Sequence, residues 1–319
     1  MAYPKRITIY EVGPREGFQF EKAFVPTERK LALVDALAES GVADIEVTSF
    51  VNPKWVPQMA DAEAVSNGLK PRPGLRYSCL YLNQQGLERA AMTGKYYIDG
   101  SLKLGASPTF IKRNTNKTIE EHVATFPDWI AAYRKIGVAV EQATVNAAWG
   151  CNFHGNIPQQ WVLDRIATIE NAINEAGFGL KRLLLSDTMG WASPTTIKSL
   201  VGRIQDRWPS LHIRLHLHDT RGPGLANVAA AMEIGIADFD SAIAGLGGCP
   251  FAGHSAAAGN ICTEDVAFMC EEMGVETGLD LEKLVVAARL AEEIVGHPLP
   301  GKLMKAGTLA QYRFRAAAE

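Results

Sequence analysis

The sequence lacks the features of several protein classes. It contains no run of about 18 apolar residues, which a membrane-spanning helix would need. It has no block of like charge, and its net charge is only −3, so nucleic acid and anionic membranes are poor partners. Its first residues show no apolar core of a secretory signal. We therefore expect neither a nucleic-acid partner nor a membrane partner.

Cysteines are few and form no paired pattern. The five cysteines are an odd number and include no CxxC motif, which favours a reducing compartment over a disulfide framework. A glycine-rich stretch at residues 244–260 lacks the Lys-Ser/Thr end of a phosphate-binding P-loop. We therefore expect an enzyme in the cytoplasm that uses no nucleotide cofactor.

What the sequence does contain is a regular alternation of strand-like and helical segments. Eight short apolar or β-branched runs are each followed by a longer helical pattern. The runs are RITIYEV, DIEVTSF, LRYSCLYL, YYIDGSLKLG, VAVEQATVN, RLLLSD, LHIRLHLH and DFDSAIA. Eight such units predict an α/β protein, a (β/α)8 TIM barrel, over a doubly wound open sheet, which usually has fewer strands. We predict one domain spanning residues 1–319, with the barrel at about 5–275 and a short helical extension at about 276–319.

A barrel of this kind carries its active site at the carboxyl ends of its strands. In this sequence polar residues follow nearly every predicted strand, a concentration that a purely structural barrel does not require. They include Glu11, Arg15, Glu16, Glu46, Thr48, Ser49, Lys103, Ser107, Asn146, Asp187, His216 and His218. The strand ends are therefore the expected place for the chemistry.

The seventh predicted strand, LHIRLHLHD, contains two histidines two residues apart. Because side chains alternate across a strand, His216 and His218 share one face with His212 and Arg214, and leucines occupy the other. Two such imidazoles near the strand's end can bind one divalent ion together with oxygen ligands. The alternative is a hydrogen-bonded pair of interior histidines.

The first two strands end in charged residues with two interpretations each. Glu16 offers a carboxylate ligand, and Arg15 offers a fixed cation for a substrate carbonyl or carboxylate. The alternative is a turn with a surface ion pair. Glu46 is either part of the site or an interior carboxylate bonded to Arg15 or a hydroxyl group.

In the glycine-rich stretch, Cys249 is either an acid or base on a closing loop or a thiol without a role.

Four segments together resemble 3-hydroxy-3-methylglutaryl-CoA (HMG-CoA) lyases, members of a wider group of (β/α)8 metallolyases. They are EVGPREGFQ, IEVTSFVNPKWVPQMADAE, HLHDTRGPGLANV and AGLGGCPFAGHSAAAGN. The resemblance runs from about residue 7 to about residue 284, and the glycine-rich segment with its cysteine is its most specific part. It implies retro-Claisen cleavage of a 3-hydroxyacyl-CoA, as in leucine catabolism, into acetyl-CoA and a 3-oxo acid.

The resemblance also implies a role for individual residues. The ligands of a divalent ion, Mg²⁺ or Mn²⁺, would be Glu16, His216, His218 and Asn260. The catalytic residues would be Arg15, Glu46, Asp187 and Cys249. The substrate-binding residues would be Gln19, Ser49 and Arg221. The expected partner is an acyl-CoA substrate, and we expect a homo-oligomer, taken as a dimer.

The sequence departs from the usual family pattern at four places. Glu16 stands where the family usually has Asp, Pro108 where it commonly has Glu, and Arg221 where it often has Tyr. The segment between Cys249 and Asn260 is two residues longer than usual. These changes leave the acyl group of the substrate open, and a group bulkier than methyl at C3 is one option. The basic residues after the fourth strand, Lys112, Arg113 and Lys117, either meet CoA phosphates or form a solvated loop.

Two other functions remain open at this stage. One is a related aldolase or Claisen-type synthase; against it, the chain has no long C-terminal domain and carries the cysteine segment. The other is a catalytically lapsed acyl-CoA-binding homologue, which Glu16 and Pro108 favour and the retained histidines, Asn260, Arg15 and Cys249 disfavour.

Overall fold

Eight parallel strands form one curled sheet around the centre of the molecule. The computed structural model describes residues 3–248, 259–310 and 312–313. The strands are β1 (Thr8–Glu11), β2 (Asp44–Ser49), β3 (Arg76–Leu80), β4 (Gly100–Gly105), β5 (Val140–Asn146), β6 (Arg182–Ser186), β7 (His212–His216) and β8 (Asp238–Ser241). Each corresponds to one of the eight strand-like runs of the sequence.

The sheet follows the order β3-β2-β1-β8-β7-β6-β5-β4, so the first strand pairs with the last. This is the circular order of a TIM barrel, and the predicted fold is confirmed. In the part of the chain that the structure describes, no strand ladder joins β3 to β4. Single contacts cross this seam instead: Tyr97 N donates to Tyr77 O at 2.8 Å, and the Tyr81 hydroxyl donates to Asp99 O at 3.3 Å.

Helices surround the sheet and follow each strand. They are α1 (Gly13–Phe20), α2 (Thr27–Glu39), α3 (Ala62–Gly68), α4 (Gln84–Met92), α5 (Pro108–Thr115), α6 (Ile119–Val123), α7 (Phe126–Lys135), α8 (Gln159–Glu175), α9 (Pro194–Arg207), α10 (Gly224–Met232), α11 (Thr263–Glu272), α12 (Leu281–Val295) and α13 (Leu303–Ala306). None of the described helices is long and apolar enough to cross a membrane.

Two helices occupy loops that the sequence pattern does not mark as helical. Helix α1 begins directly after β1, where the alternative interpretation placed a turn, and α5 begins directly after β4. Each has a proline in its first turn, Pro14 and Pro108, where a missing backbone N–H costs no hydrogen bond. The proline that departs from the family pattern at position 108 therefore has a local structural role. Its neighbour Ser107 caps the same helix by accepting a hydrogen bond from Phe110 N at 3.2 Å.

The apolar core lies between the strands and the helices. On β7 and just beyond it, Ile213, Leu215 and Leu217 are buried on the outer face, as the alternation predicts. The C-terminal extension shares this core, because α12 packs against α2 and buries Leu284 and Ala288 completely. This packing supports the prediction of a single domain over residues 1–319, which stays a prediction.

Candidate active site and metal centre

Four side chains meet at the carboxyl end of the barrel, and we call Glu16, His216, His218 and Asn260 the rim cluster. The inward face of β7 brings the two imidazoles together, with 3.1 Å between the Nε2 atoms of His216 and His218. Glu16 Oε2 lies 3.8 Å from His216 Nε2. One ligand atom from each of Glu16, His216 and His218 lies within 4.8 Å of the others. This spacing fits a single divalent ion.

Glu16 reaches the histidines because α1 starts immediately after β1. Glu11 ends the strand, and its carboxylate accepts the N–H of Gly13 at 2.7 Å, which turns the chain into the helix. A Cβ at Gly13 would lie 2.5 Å from the same oxygen, so a larger residue there would displace the Glu11 carboxylate from this hydrogen bond. One helical turn later, Glu16 points to the end of β7. The extra methylene of Glu relative to Asp does not prevent this approach.

Asn260 is fixed at the rim by the backbone that follows the undescribed residues 249–258. It forms a β-bridge with His218, and Asp219 N donates to Gly259 O at 2.7 Å. The Asn260 amide donates to Glu16 Oε2 at 2.7 Å. Asn260 is almost completely buried, and its Oδ1 has no hydrogen-bond partner in the described parts of the chain. A buried acceptor without a partner is costly, and a cation would satisfy it.

The electrostatics of the cluster keep the ligand atoms of Glu16 and His218 available. Burial raises the pKa of the Glu16 carboxyl, but Arg15, the two histidines and the Asn260 amide outweigh it, and the pKa falls to about 2. Burial, and then the nearby His216, lower the pKa of His218 to about 3. Glu16 is therefore ionised and His218 neutral near pH 7. A carboxylate, two imidazoles and an amide oxygen form a donor set that divalent ions use.

Arg15 lies between two carboxylates beside the rim cluster. Its Nη2 is 2.8 Å from Glu16 Oε1 and 2.7 Å from Glu46 Oε2. The structure thus brings together three residues that the sequence placed at the ends of the first two strands. Arg15 Nε is buried and has no hydrogen-bond partner among the described residues, so one donor is left for a ligand. The catalytic roles of Arg15 and Glu46 stay predictions.

Asp240 is a member of this site that sequence reasoning missed. Its Oδ2 lies 3.2 Å from His216 Nδ1, so it orients the ring whose Nε2 faces Glu16. Its other oxygen lies 3.3 Å from Arg214 Nε, deeper in the barrel. Carboxylates that hold a ligand histidine in this way tune many metal sites. The alternation of the run DFDS around Asp240 placed it on the inward face and was the available signal.

Asp187 lies at the end of β6, as predicted, but both its oxygens are engaged by backbone. Oδ1 accepts from Trp191 N at 2.7 Å and Oδ2 from Ala192 N at 3.0 Å. Burial raises its pKa to about 6 against these hydrogen bonds. These contacts shape the loop before α9. The catalytic role of Asp187 stays a prediction. Because both carboxylate oxygens are bonded to backbone N–H groups, Asp187 is better placed to position this loop than to contact a substrate.

The three predicted substrate-binding residues lie in different surroundings. Gln19 lines the cavity above the rim cluster, and its buried Oε1 has no partner among the described residues. Ser49 is fully buried at the end of β2 and is not among the residues that line this cavity. Arg221 is exposed and donates to Met189 O at 3.0 Å and Gly190 O at 2.8 Å, so it holds the loop after β6. Cys249 lies outside the described residues.

A cavity of about 450 Å³ connects the rim cluster with the inside of the barrel. Its mouth is lined by Phe20, Leu82 and Phe110 and its deeper part by Lys103 and Arg214. An apolar mouth above convergent polar groups is typical of a small-molecule site. The structure therefore places a ligand cavity at the end of the barrel where the fold predicts it.

Comparison with known proteins identifies the family. A sequence model of the HMGL-like family matches residues 6–291. The hydroxymethylglutaryl-CoA lyase of Bacillus subtilis is 37% identical over 302 residues, which cover 95% of this chain and 97% of that protein. The crystal structure of the B. subtilis HMG-CoA lyase matches with a TM-score of 0.86 at 37% identity, covering 96% of this chain and 99% of that one.

A second solved structure agrees with this result. An HMG-CoA lyase from Acinetobacter baumannii, solved in complex with coenzyme A and 3-methylmalate, matches with a TM-score of 0.84 at 35% identity, covering 97% of this chain and 98% of that one. The resemblance found in the sequence is confirmed over nearly the whole chain. This chain belongs to the HMGL-like family, and its named relatives are carbon–carbon lyases.

Proposed function

We propose that this protein is a divalent-metal-dependent lyase that cleaves HMG-CoA, or a closely related 3-hydroxyacyl-CoA, into acetyl-CoA and a 3-oxo acid. The observation that carries the proposal is the rim cluster, in which Glu16, His216 and His218 converge and Asn260 hydrogen-bonds to Glu16. The cluster lies at the carboxyl end of a barrel whose relatives bear this name. Among the functions that the sequence left open, this placement and the family favour the lyase.

The reaction breaks one carbon–carbon bond, removes a proton from the C3 hydroxyl group and adds a proton at C2. The C3 hydroxyl loses its proton, C3 becomes a ketone, and the C2–C3 electron pair passes to C2 as a thioester enolate. A proton added at C2 then gives acetyl-CoA. Glu16, His216, His218 and Asn260 would hold a divalent cation, which would supply Lewis-acid polarisation of the substrate oxygens. We propose Mg²⁺ or Mn²⁺ because half of the donors are oxygens.

Other residues of the chain would stabilise the enolate, orient a metal ligand and supply the proton. Arg15 is positioned by Glu16 and Glu46, and its charge would stabilise the enolate oxygen. Asp240 holds His216 in one orientation. Cys249 stays our candidate for the group that protonates the enolate carbon. The predicted substrate contacts are still Gln19, Ser49 and Arg221. The candidates for contact with the CoA phosphates are still Lys112, Arg113 and Lys117. A dimer and a cytoplasmic location also stay predictions.

The direct test is cleavage by the purified protein. Incubation with Mg²⁺ or Mn²⁺ and HMG-CoA, or its 3-alkyl homologues, should release acetyl-CoA and the matching 3-oxo acid in equal amounts. Removal of the metal with EDTA should stop the release, and added Mn²⁺ should restore it. Substitution Arg15→Met should lower kcat about 100-fold or more, the usual cost of losing an oxyanion-stabilising donor. Binding of these thioesters without acetyl-CoA release would instead support a lapsed acyl-CoA-binding protein.

A further inference from the structure

Lys103 is a basic residue inside the barrel that the proposed reaction does not use. In the register of the sheet it pairs with Thr144, which pairs with Leu184, which pairs with Arg214. Arg214 lies two residues before His216 on the same face of β7. Lys103 is therefore one inward-facing row deeper than the end of the strands, and it lines the same cavity as the rim cluster.

The ammonium group of Lys103 makes no hydrogen bond or ion pair in the described parts of the chain. The two arginines of the cavity differ in this respect. Arg15 is bonded to Glu16 and Glu46, and Arg214 pairs with Asp240.

The immediate surroundings of Lys103 do not neutralise it. Its Nζ lies 5.7 Å from the centre of the Tyr81 ring, a weak cation–π contact. Burial lowers the pKa of Lys103, and the charge of Glu46 acts against this without an ion-pair contact. Lys103 is only partly buried and lines the cavity, so its ammonium group is accessible from there and has no protein anion in contact with it. An incoming carboxylate would supply the missing charge partner. The cavity of about 450 Å³ gives such an anion space to enter.

We propose that Lys103 is a specificity-determining residue whose ammonium group pairs with the carboxylate at the far end of the substrate's acyl chain. This inference rests on the proposed function and adds to it the residue that recognises the far end of the substrate. The site takes 3-hydroxyacyl-CoA thioesters whose acyl chain ends in a carboxylate, and it discriminates against neutral acyl chains of the same shape. The metal ligands and Arg15 then act at the hydroxyl and thioester end, while Lys103 holds the opposite end.

The test compares binding of two uncleavable thioesters that differ in one charge. One is 3-methylglutaryl-CoA, which keeps the terminal carboxylate and lacks the hydroxyl group, and the other is its terminal amide. With Mn²⁺ present, the wild-type protein should bind the carboxylate about 10- to 100-fold more tightly than the amide, as expected for a charged hydrogen bond in a buried site. Lys103→Met should bind the two equally, and Lys103→Arg should recover part of the preference. Calorimetric titration gives all six dissociation constants.

Cleavage kinetics provide the second readout. Lys103→Met should raise KM for HMG-CoA by a factor similar to the lost binding preference, with a smaller change in kcat. An unchanged carboxylate-to-amide ratio in a folded Lys103→Met protein would overturn the role of Lys103. If the wild-type protein cleaves HMG-CoA in that case, the lyase proposal still stands. If the wild-type protein neither cleaves HMG-CoA nor binds 3-methylglutaryl-CoA, both proposals fail.

Discussion

The two ends of the barrel both contain acidic residues and histidines, but they differ in whether the polar atoms of these residues have partners within the protein. At the amino ends of the strands, a set of polar contacts that we call the floor network joins Asp44 to Arg76 at 3.1 Å, Asp99 to Arg182 at 2.9 Å and Asp238 to His212 at 3.1 Å. In the rim cluster, by contrast, Asn260 Oδ1 and His218 Nδ1 have no partner among the described residues.

This difference distinguishes polar groups that stabilise the fold from polar groups that are available to bind a ligand. A buried polar group normally has a hydrogen-bond partner, because leaving it without one costs about 1–3 kcal/mol. The floor network meets this requirement within the protein. The rim cluster does not, although it is better buried, and a cation would complete it. Asp240 extends the rim cluster towards the inside of the barrel, since it contacts Arg214 on one side and His216 on the other.

The largest expected effect distinguishes two histidines on the same face of β7. His216→Ala should weaken Mn²⁺ binding by more than about 100-fold and abolish acetyl-CoA release, because it removes a proposed metal ligand. The loss of metal affinity should be larger than the roughly 10- to 100-fold loss that is usual when a residue supporting a ligand is changed. His212→Ala is the matched control: its side chain is 57% exposed and belongs to the floor network. It should retain wild-type metal affinity. Calorimetry with Mn²⁺ and an acetyl-CoA assay measure both. Wild-type activity in His216→Ala would refute the metal site.

An intermediate effect is expected for the two aspartates of β8. Asp240→Asn should lower Mn²⁺ affinity about 10- to 100-fold, because the amide orients His216 less well than the carboxylate. Asp238→Asn should leave Mn²⁺ affinity unchanged, since Asp238 contacts His212 and the Tyr10 hydroxyl in the floor network. The melting temperature of each variant serves as a control for folding. Equal losses of affinity in both variants would show that the two ends of the barrel are not separable.

The last prediction concerns stability and not metal binding, at Glu264, which has an unpartnered oxygen, Oε1, away from the rim cluster. Burial, and then the charge of Asp265, raise its pKa to about 8, so the carboxyl group is largely protonated in the folded protein near pH 7. The folded state then holds a proton that the unfolded state releases above about pH 4.5. The stability that Glu264 contributes is complete below that pH and is lost as pH rises towards 8.

Urea unfolding at pH 5 and pH 8 tests this explanation. The wild-type protein should lose on the order of 3 kcal/mol more unfolding free energy between these pH values than Glu264→Gln, which cannot ionise. A pH dependence that is the same in both proteins would mean that Glu264 is ionised when folded. Its unpartnered oxygen would then need another explanation, such as a bound cation.

The sequence predicted much of the fold and part of the site. Strand alternation located His216 and His218 on the inward face, and hydrophobic periodicity gave eight βα units, because both depend on local spacing. The pattern did not mark α1 as a helix, since a short helix that opens with Gly-Pro resembles a turn. It also left Asp187 as a catalytic candidate, whereas the structure shows its oxygens bonded to the backbone of Trp191 and Ala192.

What the sequence by itself determined is the fold, the family and the identity of the residues at the strand ends. Periodicity and short motifs carry this information because they need only neighbouring residues. The tertiary structure alone decided which of these residues meet. Asn260 is 244 positions from Glu16, yet the two share a hydrogen bond at 2.7 Å. Lys103 is a basic residue like Arg214, but only the folded structure shows that Arg214 is paired with Asp240 and that Lys103 has no such partner among the described residues. Pairing depends on neighbours that folding brings together.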